Sequence, residues 1–94
     1  MFDIRISENG EILLSGRFDA SQVEKAKSVF NRVAKSCIVN FKDLEYISSA
    51  GLGVLLATQK QLNESGESLK LINMNKHITD VFRYAGFDTI FKIE

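Results

Sequence analysis

The sequence predicts an α/β fold: a mostly parallel central sheet that opens with an N-terminal hairpin and carries helices packed on it. Three observations predict this. Phe2, Ile4 and Ile6 alternate with polar Asp3, Arg5 and Ser7, the period of a half-buried strand. Asn9-Gly10 then turns the chain back, a strong hairpin signal. Further on, segments of helical period alternate with short β-branched runs, as in parallel strands joined by right-handed crossovers. The expected order is β-β-α-β-α-β-α-β.

Each element has a local reason. "EILLSGRF" returns from the hairpin as the second strand. Asp19 or Ser21 caps a first helix whose apolar face is Val23, Ala26, Phe30, Val33 and Ala34. "CIVNF" is apolar at consecutive positions, which predicts a strand covered on both faces. A second helix over about 50 to 65 turns Leu52, Leu55, Leu56 and Leu62 to the sheet, and "ESGES" ends it. "LKLIN" is the next strand. Asn75 caps a third helix that buries Ile78, Val81, Phe82 and Ala85, and Gly86 stands where a helix commonly ends in a left-handed residue. "TIFKI" is a short closing strand.

The bulk numbers narrow the function. A chain of 94 residues with 45% apolar content suits one domain, residues 1–94, with a small core. Twelve basic and twelve acidic residues cancel, so no overall positive field draws nucleic acid or anionic lipid. Cys37 stands alone, which excludes an internal disulfide framework and fits a reducing compartment. "MFDIRISENG" lacks the pattern of a signal peptide, and no segment approaches the ~20 apolar residues that cross a bilayer. The expectation is a cytoplasmic protein without membrane insertion.

The informative stretch is "EYISSAGLGVLLATQ", residues 45 to 59. Gly51 and Gly53 sit in the first turns of the second helix, where each costs about 1 kcal/mol relative to alanine. Either one lets the helix pack tightly on a neighbouring strand, or the missing side chains leave the backbone open to a partner. Ser48 and Ser49 stand just before them. A serine there caps the helix. Equally, a phosphate on Ser49 would add about −1.5 to −2 charge at a helix start that tolerates anions, while evicting a neutral partner face.

Residues 38 to 62, "IVNFKDLEYISSAGLGVLLATQKQL", resemble the signature of the STAS family, and specifically its small bacterial anti-sigma factor antagonists. "LSGRFDA" is similar to that family's second strand and Gly-x-x-Asp loop, and "VFRYAGFDTIFKI" to its closing helix and strand. The resemblance implies a STAS-like domain. It also implies a non-enzymatic phosphoprotein without cofactor or metal, which works by partner switching in transcription regulation. Unmodified, such a protein binds an anti-sigma factor that is a serine kinase of the histidine-kinase-like ATPase type. Phosphorylation releases it, and a metal-dependent serine phosphatase resets the switch. Motif alignment puts the phosphoacceptor on Ser49, with Ser48 the alternative, since Ser48 replaces the family's common Asp. Asp19, Ser48, Ser49, Ala50, Gly51, Leu52 and Gly53 are the implied partner contacts. The chain is expected to be a monomer or weak dimer.

Other residues carry less. His77 has no second histidine or cysteine pair for a triad or metal cluster. Asp43 and Glu45 read as solvated turn acids flanking the loop into the site. Phe82, Phe87 and Phe91 read as core, and Glu24–Lys27 as a solvated helix face. A STAS-like scaffold subunit of a transport or stress-sensing complex is the alternative role. A hydrolase using Ser49 lacks a base, and a nucleotide site lacks the Lys-Ser/Thr of a Walker loop.

Overall fold

The structure is a computed structural model that describes residues 1–94. Strands β1 (Asp3–Ile6) and β2 (Ile12–Phe18) form the antiparallel hairpin. They are followed by α1 (Val23–Phe30), β3 (Cys37–Ile47), α2 (Ser49–Asn63), β4 (Leu69–Ile72), α3 (Lys76–Tyr84) and β5 (Lys92–Ile93). Short 3-10 turns occupy Ala20–Gln22 and Phe87–Thr89. The expected order is present. At the hairpin the Ser7 amide donates to the Glu11 carbonyl at 2.8 Å, and Gly10 takes a φ of +85°. No helix is long and apolar enough to cross a membrane.

The strands lie side by side in chain order, β1 through β5, and every pair after the hairpin is parallel. Each crossover therefore steps in the same direction. Crossovers of one hand and one direction lie over one face of the sheet. Burial agrees: Ile4, Ile12, Leu14, Phe18, Val39, Phe41, Leu44, Ile47, Leu69 and Leu71 join the helices in one apolar cluster. The opposite face, with Arg5, Leu13, Ser15, Arg17, Asn40 and Lys70, has no buried side chain. "CIVNF" is therefore covered on one face only, and Ile38 is 37% exposed on the other.

β3 is also longer than expected. Its buried positions, 39, 41, 44 and 47, open from a spacing of two to spacings of three. The pairing with β2 slips between Leu13 and Ser15 and again between Gly16 and Arg17, so β3 carries an extra residue at each place. Such bulges keep Leu44 and Ile47 on the core face while adding local twist. Asp43 and Glu45 consequently lie within the strand, exposed, and are not turn acids.

Smaller departures have local causes. Asp19 caps the 3-10 turn rather than α1, by accepting from the Ser21 amide at 3.0 Å. α1 stops at Phe30, so Val33 packs from the following turn and Ala34 is exposed. Ala85 is likewise exposed at the end of α3. That helix starts as expected, with Asn75 Oδ1 accepting from the Ile78 amide at 2.8 Å, and Gly86 is left-handed. Thr89 belongs to a turn, leaving β5 only two residues long.

Two features seat α2. A Cβ on Gly51 would lie 2.9 Å from Ile47 Cγ1 and 3.1 Å from both Phe18 Cγ and the Phe18 carbonyl oxygen, so the helix rests on the β2 and β3 tips there. Farther along, Gln59 is buried with both ends of its amide engaged. Its Oε1 accepts from the Leu69 amide at 2.8 Å and its Nε2 donates to the Ile90 carbonyl at 3.1 Å. Gln59 thereby ties α2 to the start of β4 and to the turn before β5.

We expect Gln59→Leu to leave the buried Leu69 amide unpaired and to destabilise the protein by about 1–3 kcal/mol. Gly51→Ala should cost about 1–3 kcal/mol through overpacking against Phe18 and Ile47. Urea titration followed by circular dichroism measures both. An unchanged midpoint for either variant contradicts the role given to that residue.

Candidate functional site

The expected site residues gather where β2 and β3 end and α2 begins. Phe18 and Ile47 are register partners, so Asp19 and Ser48 leave adjacent strands side by side. The Ser48 amide donates to the Phe18 carbonyl at 2.9 Å, and α2 packs against the turn Ala20–Gln22. This brings the Asp19 loop to the start of α2.

The two serines have different surroundings. Ser48 is extended, with φ −92° and ψ 172°, and its Oγ accepts from the Gly51 amide at 3.2 Å. Its carbonyl accepts from the Leu52 amide at 2.9 Å. Ser48 is the N-cap. Serine is among the residues preferred at that position. Ser49 is the first helical residue, exposed, and its hydroxyl makes no intramolecular hydrogen bond. The Ser49 and Ala50 amides beside it have no backbone partner and carry the positive end of the helix dipole.

The two glycines also differ. Gly51 is buried, and packing accounts for its missing side chain. Gly53 is exposed, and a Cβ there would meet nothing within 4 Å. Packing does not require Gly53. Leu52 is buried in the core, so the surface presented at this tip includes Ser49, Ala50, Gly53 and the exposed parts of Ser48 and Asp19.

Asp19 is held ionised. The Ser21 hydroxyl donates to its Oδ1 at 2.6 Å, and that bond, with the Ser21 amide and nearby Arg17, sets the carboxyl below the usual aspartate value. Arg17 itself lies 4.3 Å from the centroid of the Tyr46 ring, a cation–π contact on the open face of the sheet. Sequence reasoning missed this pair. Alternation along β2 places Arg17 on the open face, but its position opposite Tyr46 depends on the second bulge in β3.

The surface grooves lie away from this tip. The widest two, about 280 and 230 Å³, flank Ser36, Cys37 and Ile38 at the other end of β3. Cys37 is half-buried, and burial pushes its thiol pKa up, which disfavours the reactive thiolate. No three His, Cys, Asp or Glu side chains cluster to hold a metal. His77 is exposed in the first turn of α3. None of the grooves is lined by Asp19, Ser48, Ser49, Ala50 or Gly53.

Comparison with known proteins agrees with this architecture. The BtrV protein of Bordetella bronchiseptica strain RB50 is 35% identical over 74 residues, 79% of this chain, and the chain spans 58% of that relative's length. The anti-sigma-B factor antagonist of Bacillus subtilis strain 168 is 27% identical over 95 residues, covering 97% of this chain and 87% of that one. The solved anti-sigma factor antagonist SpoIIAA in its unphosphorylated form superposes with a TM-score of 0.73 at 18% identity, over 100% of this chain and 87% of that one. The phosphorylated Bacillus SpoIIAA gives 0.71 at 19% identity, over 100% and 91% of the two chains. The family model described as "Mlab, STAS domain" matches residues 4–93. The chain belongs to the STAS-domain family.

Proposed function

We propose that this chain is an anti-sigma factor antagonist that works by partner switching. The unphosphorylated form binds an anti-sigma factor with serine kinase activity, of the histidine-kinase-like ATPase type. Phosphorylation of Ser49 releases that partner, and a metal-dependent serine phosphatase restores the binding form. The observation that carries the reading is the division of labour between the serines. Ser48 is engaged as the cap, while the Ser49 hydroxyl is free and exposed beside two open amides.

The physics of the switch follows from that arrangement. A phosphate on Ser49 adds about −1.5 to −2 charge near the positive end of α2, where the fold can host it. For a partner seated over Ala50 and Gly53, the same charge must be desolvated without a counter-ion, at a cost of several kcal/mol. Asp19 adds a fixed negative charge at the rim of the same surface. Binding responds to the modification and folding does not.

Ser49→Ala should bind the kinase as the native chain does and resist ATP-dependent modification. Ser49→Asp should bind at least about tenfold more weakly, about 1.4 kcal/mol. Isothermal titration calorimetry and phosphopeptide mass spectrometry read the two effects. Equal affinity of both variants for the kinase contradicts the charge mechanism and favours a constitutive scaffold.

Gly53→Ala should raise stability by about 0.5–1 kcal/mol, as expected in a helix interior, and still weaken kinase binding. A stabilised variant with native affinity removes Gly53 from the contact surface. Asp19 should titrate below the ordinary aspartate value by carbon-detected NMR, and Ser21→Ala should move its midpoint upward. A depressed native pKa favours the folded chain above the ordinary value, and that contribution is lost as pH falls through the native pKa. A midpoint unaffected by Ser21→Ala contradicts the assigned cause.

A further inference from the structure

β1 is an edge strand, paired with β2 on one side only. The Ser7 amide points across the hairpin to Glu11, so alternation turns the odd-numbered residues of β1 toward β2. Phe2, Ile4 and Ile6 then direct their amides and carbonyls outward. Lys25 Nζ donates to the Phe2 carbonyl at 3.1 Å, which covers that end of the row and leaves Ile4 and Ile6 open, and the Phe2 oxygen keeps a second lone pair. An open row of this kind is a template for another strand unless something blunts it.

The side chains of this edge favour one partner. Ile6 belongs to the core-side row of β1 yet is 47% exposed at the edge. Asp3 and Arg5 occupy the other face, with side chains 47% and 72% exposed. Their contacts are loose, with Arg5 Nε 3.7 Å from Asp3 Oδ2 and Lys25 Nζ 3.6 Å from Asp3 Oδ1. We propose that β1 is a self-docking edge, through which two copies of this chain pair antiparallel about a twofold axis at Ile4.

Charge selects that register. With the axis at Ile4, each Ile4 exchanges both backbone hydrogen bonds with its counterpart, and Phe2 stands opposite the second copy's Ile6. Asp3 then faces the second copy's Arg5, twice, at the close non-hydrogen-bonded positions of the ladder. A shift by two residues one way sets Asp3 against Asp3, and the other way sets Arg5 against Arg5. Like charges directly opposite one another destabilise an antiparallel pair, and opposite charges stabilise it. The pairing covers Ile6 and continues the sheet across both copies. It buries less than a standard interface, so its dissociation constant should be on the order of 100 µM.

The test is a charge exchange read by sedimentation equilibrium from about 10 µM to about 1 mM. The native chain should dimerise. Asp3→Arg and Arg5→Asp should each weaken self-association at least tenfold. An equimolar mixture of the two variants should recover dimers, as should the chain carrying both substitutions. Thermal melts confirm that each variant is folded. In the native chain, the Ile4 and Ile6 amides should gain hydrogen-exchange protection as concentration rises. A native chain that stays monomeric to about 1 mM, a double variant no better than the single ones, or dimerisation without protection of Ile4 and Ile6 each overturns the proposal. All of these readouts are independent of Ser49 and of the kinase.

Discussion

The sheet is wound in one direction only, and the rest of the molecule follows from that constraint. Three crossovers that never reverse leave their helices over a single face, so there is one apolar cluster and one bare sheet surface. A sheet whose strand order reverses opens a crevice at the reversal, the usual small-ligand site of open α/β folds. This one has no reversal. Chemistry is left to the rims: the tips of the parallel strands, where α2 begins, and the unpaired outer edge of β1.

The tip is built by backbone contacts before any functional side chain is considered. The bond from the Ser48 amide to the Phe18 carbonyl joins the ends of β2 and β3, and Gly51 lets α2 settle onto that joint. Ser48 then caps the helix, which leaves Ser49 outside the internal hydrogen bonding. Adjacent residues of the same type are thus separated by geometry into a structural one and a free one. The position asks for a short acceptor, and the Ser48 hydroxyl supplies it.

Legibility in the sequence tracked the range of the interaction. The hairpin turn, the Asn75 cap and the left-handed Gly86 are decided by neighbours a few residues away, and each is legible in the sequence. The course of β3 is not. Its bulges set Phe41, Leu44 and Ile47 three apart, a spacing that does not look like a strand until β2 is placed beside it. The one-sided burial of that strand depends on the order of strands in the sheet, which a run of apolar residues does not encode. Gly51 and Gly53 look equivalent in the sequence, and only the position of Phe18 separates them. Arg17 and Tyr46 escaped notice for the same reason as β3. The location of the candidate site was legible, because the Ser-Ser-Ala-Gly-Leu-Gly string is local, while the division between Ser48 and Ser49 required three dimensions.

The hydroxyl cap at Ser48 has a further consequence. An aspartate in its place would lose its charge in acid and release its grip on the helix amide, whereas a serine hydroxyl keeps the same form across the whole range. Acidification would therefore neutralise the ordinary surface carboxylates first, and only then the peripheral clasps, Asp19 on Ser21 and Glu67 on the Ser36 amide. Both of these hold their charge to lower pH than ordinary carboxylates. The seat of α2 contains no proton-sensitive part, so the loosening should run from the rim inward and reach the joint last.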